Sequence, residues 1–125
     1  MGCVMVIDDS RTVRMSMEYL LKNNGYEVVA AEDGVDGLKK LNDRVAGGKK
    51  PNLIITDINM PNMGGLDFIR NAKQSISTKF IPILILTTES QESMKMEGKK
   101  LGAAGWIVKP YQPDQLIGVV KRFVK

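Results

Sequence analysis

Histidine is absent from this 125-residue chain and cysteine occurs once. Without histidine there is no Ser-His-Asp or Cys-His triad, no histidine zinc site and no internal phosphohistidine. The lone Cys3 sits in an apolar segment, where a small buried thiol is expected rather than a nucleophile or a disulfide partner. Any chemistry therefore falls to carboxylates, hydroxyls and lysines. No apolar run approaches the roughly 20 residues that span a bilayer, and the N-terminus lacks the basic start and long apolar core of a signal peptide. A cytoplasmic protein without membrane association is expected. Helix-turn-helix pairing, an aromatic and basic stripe and zinc-finger spacing are also missing, so nothing favours nucleic acid as a partner. The formal net charge of +4 is modest and its lysines are scattered, as on a solvated surface.

What is present is globular: 43% hydrophobic and 26% charged residues suit a packed domain rather than a disordered chain. The length allows one domain, taken as residues 1–125, and is too short for two ordinary ones. The run Cys3-Val4-Met5-Val6-Ile7 reads as a strand that stops at Asp8-Asp9. Ser10 then suits an N-cap for a helix with Val13, Met17, Leu20 and Leu21 at helical spacing, and Gly25 suits its left-handed end. A weaker strand, Glu27 to Ala31, exits through Glu32-Asp33-Gly34 into a helix with Val35, Leu38, Leu41 and Val45 on one face. After Leu53 to Asp57, the residues Leu66, Ile69, Ala72 and Ile76 mark a third helix. Ile81 to Leu86 is a fourth strand ending at Thr87, with Pro82 acceptable near its start. The stretch Gln91 to Leu101 is helical but poorly amphipathic, since Met94 and Met96 cannot share a face and Gly98 costs about 1 kcal/mol against alanine. Ala103 to Val108 is a fifth strand ending at Lys109-Pro110, and Leu116, Val119, Val120 and Phe123 line the last helix.

Five alternating strand and helix units with short connections imply an α/β, doubly wound parallel sheet with helices on both faces. Right-handed crossovers bring every strand's carboxyl end to one edge, where such folds hold their ligands. The run Leu53-Ile54-Ile55-Thr56 has no polar alternation and suits a central strand buried on both faces, so Asp57 at its end is the candidate reactive centre. Asp8, Asp9, Thr87 and Lys109 leave neighbouring strands at the same edge. Three gathered carboxylates repel one another unless a cation intervenes. Oxygen donors without histidine or clustered cysteine favour a hard ion such as Mg²⁺. A lysine and a threonine hydroxyl beside them would complete a phosphate pocket, in which an aspartate can accept a phosphoryl group. Each residue also has a plainer explanation: an N-cap for the acidic pair, a turn for Asp57, a cap for Thr87, a surface charge for Lys109. The combination at successive strand ends outweighs its parts.

From the first strand into the last helix the chain resembles the response-regulator receiver family, and within it the CheY-like, stand-alone chemotaxis regulators. The resemblance implies a flavodoxin-like (βα)5 fold with strand order 2-1-3-4-5, an order carried over from the family. It implies Asp57 as phosphoacceptor, Asp8 and Asp9 holding Mg²⁺ with Asp9 the direct ligand, and the backbone carbonyl of Asn59 as a further ligand. Thr87 would contact the phosphoryl group, Lys109 would balance its charge, and the Lys109-Pro110 bond would be cis. Trp106 stands where the family's switch aromatic turns inward on phosphorylation, a place more often held by tyrosine or phenylalanine. Asn59 and Glu89 occupy the two positions that tune acyl-phosphate hydrolysis, although Glu89 also suits a helix first turn. Trp106, Tyr111, Lys95 and Lys99 are expected on one output face, beside the weakly anchored fourth helix.

The resemblance further implies a histidine kinase as phosphoryl donor and a downstream target such as a flagellar motor switch protein. A phosphatase is a further candidate partner, and a monomer is expected. The protein would catalyse only its own phosphorylation and dephosphorylation. A phosphorelay intermediate and a receiver from a larger regulator are the alternatives within the family, although the chain ends just after its last helix. A Mg²⁺-dependent aspartate-nucleophile phosphatase is the alternative of a different class, but it would carry a second aspartate where Asn59 stands. A nucleotide or flavin binder is disfavoured, since neither the Gly-x-x-x-x-Gly-Lys-Ser/Thr loop nor Gly-x-Gly-x-x-Gly occurs.

Overall fold

A computed structural model describes residues 2–88 and 92–124. The elements run β1 (Cys3–Ile7), α1 (Arg11–Asn23), β2 (Glu27–Ala31), α2 (Gly34–Ala46), β3 (Leu53–Asp57), α3 (Gly65–Gln74), β4 (Ile83–Thr87), α4 (Glu92–Lys100), β5 (Gly105–Val108) and α5 (Pro113–Phe123). All strand pairs are parallel, in the order β2-β1-β3-β4-β5. This is the doubly wound arrangement and the strand order expected.

The three central strands are buried along their whole length, because helices cover both faces of the sheet. Alternate residues of these apolar runs feed two separate cores. Val4, Val6, Leu53, Ile55, Leu84 and Leu86 pack with Met17 and Leu21 of α1 and Leu116 and Val120 of α5. Met5, Ile7, Ile54, Ile83 and Ile85 pack with Leu41 of α2 and Phe68, Ile69 and Ala72 of α3. Cys3 is buried as anticipated, and desolvation pushes its thiol up, away from nucleophilic use.

The ends of α1 follow their local chemistry. Ser10 Oγ accepts the Val13 N–H at 3.3 Å, and Gly25 takes φ 89° beyond the last turn. Two helical expectations need correction. Val35 is 52% exposed; Leu41 is buried and Leu38 and Val45 pack partly buried against the core as expected, with Gly34 and Gly37 completing the buried face of α2. A Cβ on Gly37 would lie 2.7 Å from Ile7 Cδ1, so a glycine is what lets this helix approach the sheet. Ile76 is 83% exposed and lies beyond α3. The Thr78 hydroxyl donates to the Ala72 carbonyl at 2.6 Å and Thr78 N–H bonds Ser75, closing a turn in place of further helix.

Strand starts also shift: β4 begins after Pro82, and β5 begins at Gly105 rather than Ala103. In α4 the exposed Met96 and the partly buried Met94 do lie on different faces, and only Lys95 and Gly98 are buried. Gly98 again serves close approach, since a Cβ there would collide with Ile85 Cδ1. Gln91 and Glu89 lie outside the described residues.

Phe68 is fully buried at the centre of the α2/α3 face. Phe68→Ala is expected to cost about 3–5 kcal/mol, read as a fall in urea midpoint with little change in slope.

Candidate functional site

The register of the sheet assembles the site as a staircase. Ile7 pairs with Thr56, so Asp8 and Asp57 leave adjacent strands one residue later. Asp57 pairs with Leu86, which puts Thr87 one step beyond it on β4. Thr87 in turn pairs with Val108, and Lys109 follows. Residues far apart in sequence thus meet at one edge because each lies at or just after the carboxyl end of a largely apolar strand.

Carboxylate oxygens of Asp8, Asp9 and Asp57 all lie within 4.8 Å of one another. Asp8 is fully buried and Asp57 is 8% exposed, whereas Asp9 faces solvent. Lys109 Nζ lies 3.4 Å from Asp8 Oδ2 and 3.3 Å from Asp57 Oδ1, so one ammonium is shared between two carboxylates. Asp57 Oδ1 accepts the Ile58 N–H at 2.8 Å, and Asp8 Oδ1 accepts the Ser10 N–H at 2.9 Å. Burial, then the charge of Asp8, pushes the Asp57 carboxyl above the usual carboxylate range, partly offset by Lys109 and the Ile58 N–H.

Thr87 is buried at the end of β4, and Asn59 is exposed on the loop leaving β3. The Lys109-Pro110 bond is cis, as the resemblance implied. Trp106 is 42% exposed, with Lys95 Nζ 5.7 Å from its ring centre and 3.3 Å from Glu92. Tyr111 is half-buried and borders a cavity of about 540 Å³ with Thr12, Ser16 and Lys109.

Several contributors escaped the sequence reading. Arg14 Nη1 donates to the Asp8 carbonyl at 2.7 Å, bringing a second cation to the acidic pair. Arg14 lies six residues beyond Asp8 on α1, and only its helical position after the Ser10 cap hinted at this. Asn62, on the same loop as Asn59, bonds Asp33 at the start of α2 at 2.8 Å.

An open parallel sheet thus gathers clustered acids, a hydroxyl and a lysine at its carboxyl edge. The family model of the response regulator receiver domain matches residues 4–121, and the chain belongs to that family. It is similar to chemotaxis protein CheY1 of Helicobacter pylori, at 40% identity over 114 residues, covering 90% of this chain and 89% of that protein. Protein PilG of Pseudomonas aeruginosa is 36% identical over 121 residues, covering 97% of this chain and 86% of PilG. The solved structure of Vibrio cholerae chemotaxis protein CheY4 matches with a TM-score of 0.87 and 40% identity, covering 98% of each chain. The protein is thus a CheY-like receiver of two-component signalling. Receiver domains bind Mg²⁺ at an acidic pocket, and the donor set here fits a hard cation: the three clustered ligands are carboxylates, and the chain holds no histidine. Among the described residues no helix is long and apolar enough to cross a membrane.

The raised Asp57 carboxyl has a defined consequence for stability. Its native value exceeds the unfolded one of about 3.9, so its contribution is full below that pH and is lost as pH rises through the native value. In chelator, Asp57→Asn is therefore expected to raise the urea midpoint at pH 7, with the gain shrinking as pH falls through the native value and gone below about 4. A lower midpoint for the variant at pH 7 would contradict the electrostatic assignment.

Proposed function

We propose that residues 1–125 act as a single receiver domain that takes a phosphoryl group from a histidine kinase onto Asp57 with Mg²⁺. Phosphorylation then switches its binding to a downstream protein. The observation that carries the reading is the Lys109 ammonium between the Asp8 and Asp57 carboxylates, at 3.4 and 3.3 Å.

In this mechanism an oxygen of Asp57 attacks the phosphorus of the donor phosphohistidine. The P–N bond breaks with its electron pair left on the imidazole nitrogen, which takes a proton from solvent, and an acyl phosphate forms on Asp57. Asp8, Asp9, Asp57 and the backbone carbonyl of Asn59 would hold Mg²⁺, which supplies positive charge against the carboxylates and phosphoryl oxygens. Lys109 shifts from pairing two carboxylates to meeting the new phosphoryl oxygens, and the Thr87 hydroxyl donates to them. The cavity beside Lys109 and Tyr111 leaves room for the donor to approach. Asn59 and Glu89 orient the water that later hydrolyses the acyl phosphate.

The Lys95 contact holds Trp106 outward in the structure described, and inward rotation would follow the movement of Thr87. The similarity to CheY1 and CheY4, both chemotaxis proteins by name, supports a chemotaxis role with a flagellar motor switch protein as target. The protein would act as a cytoplasmic monomer and catalyse no reaction beyond gaining and losing its own phosphate.

Incubation with Mg²⁺ and either a phosphorylated histidine kinase or a small acyl-phosphate donor should label the chain with no more than a single phosphoryl group. Asp57→Asn should abolish labelling, and Lys109→Met should slow it about 100-fold. Repeated turnover of a simple phosphoester would instead support the phosphatase alternative. Beryllofluoride added after Mg²⁺ should change Trp106 emission in the native chain and leave the Asp57→Asn spectrum unaltered. An unchanged native spectrum would remove Trp106 from the switch.

A further inference from the structure

The loop from β3 to α3 follows directly on Asp57 of the acidic cluster, and Asn59 and Pro61 within it are exposed. Burial therefore does not place Asn59; anchors on either side must. On the near side the loop closes tightly on the strand end. The Gly65 N–H donates to the Ile58 carbonyl at 2.8 Å, and a Cβ on Gly65 would collide with the Asp57 carbonyl oxygen. On the far side the anchor comes from another part of the chain. Asn62 Nδ2 donates to Asp33 Oδ2 at 2.8 Å, and the Gly34 N–H donates to the Met63 carbonyl at 2.9 Å.

Asp33 is well made for this double duty. It is 6% exposed, its Oδ1 accepts the Asp36 N–H at 2.8 Å as the N-cap of α2, and its second oxygen serves Asn62. Asn62 has φ 66°, the one non-glycine residue with positive φ among the described residues. A side chain that bonds across from this left-handed position offsets a conformation most residues avoid. The strained residue is thus the one tied to the neighbouring helix, with the exposed Asn59 suspended between two fixed points.

We propose that Asp33 and Asn62 form a clasp that positions the β3–α3 loop so that the Asn59 carbonyl is held ready for the cation. Neither residue touches the cation; both are positioning residues, acting through the loop. The proposal rests on the reading of Asn59 as a ligand given above, and it extends the cation site's support to α2, an element that contributes no ligand. Loss of such outer support costs about tenfold in metal affinity.

The test compares native protein, Asn62→Gly and the exchange variant, Asp33→Asn combined with Asn62→Asp, by Mg²⁺ calorimetry and by amide hydrogen exchange over residues 58–64 without metal. Glycine adopts positive φ without strain, so Asn62→Gly removes the amide bond and keeps the backbone preference. In the exchange variant the amide introduced at position 33 can donate to the carboxylate introduced at position 62. An asparagine still suits the N-cap of α2, and the net charge is unchanged. Asn62→Gly should weaken Mg²⁺ binding about tenfold and speed exchange in the loop, and the exchange variant should restore both. Native-like affinity and exchange in Asn62→Gly, or failure of the exchange variant to restore them, overturns the clasp. Should the native protein itself not bind Mg²⁺, the reading of the site falls, and the exchange rates alone decide whether the clasp holds the loop.

Discussion

Like charges held close together, out of water, dominate this molecule. Asp8 and Asp57 are both buried and their carboxylates lie within 4.8 Å of each other and of Asp9. A single ammonium, that of Lys109, stands between the two buried ones. In a medium of low polarity such repulsion is far stronger than at a surface, and one partly exposed lysine offsets it only in part. Burial first, and then the charge of Asp8, holds the Asp57 carboxyl above its ordinary range. A site left with excess negative charge suits a cation.

The fold makes this crowding unavoidable. Parallel pairing in register places the residue after β1 beside the end of β3, with the last residue of β4 and the residue after β5 successively further out. The apolar residues of the strands divide between two cores, one under α1 and α5 and the other under α2 and α3. The stability that unites the carboxylates therefore comes from hydrophobic burial elsewhere, while the site itself carries unfavourable electrostatics.

Much of this could be read in the sequence because the signals were abrupt. A run such as Leu53-Ile54-Ile55 followed by Asp57 changes polarity within a residue or two, and the same occurs at Ile7-Asp8 and Val108-Lys109. Where packing depends on the lack of a side chain, the signal fails. Counting apolar residues chose Val35 for the buried face of α2, but Gly34 and Gly37 occupy it. Ile76 continued a helical spacing that the Thr78 hydroxyl interrupts by bonding the Ala72 carbonyl. The pair Asp33 and Asn62 lies 29 residues apart in two polar loops, with no periodicity to join them. Such contacts exist only once the topology is known.

The central claim is that Asp57 is ionised against opposition and that a divalent cation relieves it. Carbon-13 NMR titration of the Asp57 carboxyl, without and with saturating Mg²⁺, tests this most directly. The account predicts a midpoint above the ordinary aspartate range in metal-free protein and a marked fall once the cation is bound. An ordinary midpoint that Mg²⁺ does not move would contradict it.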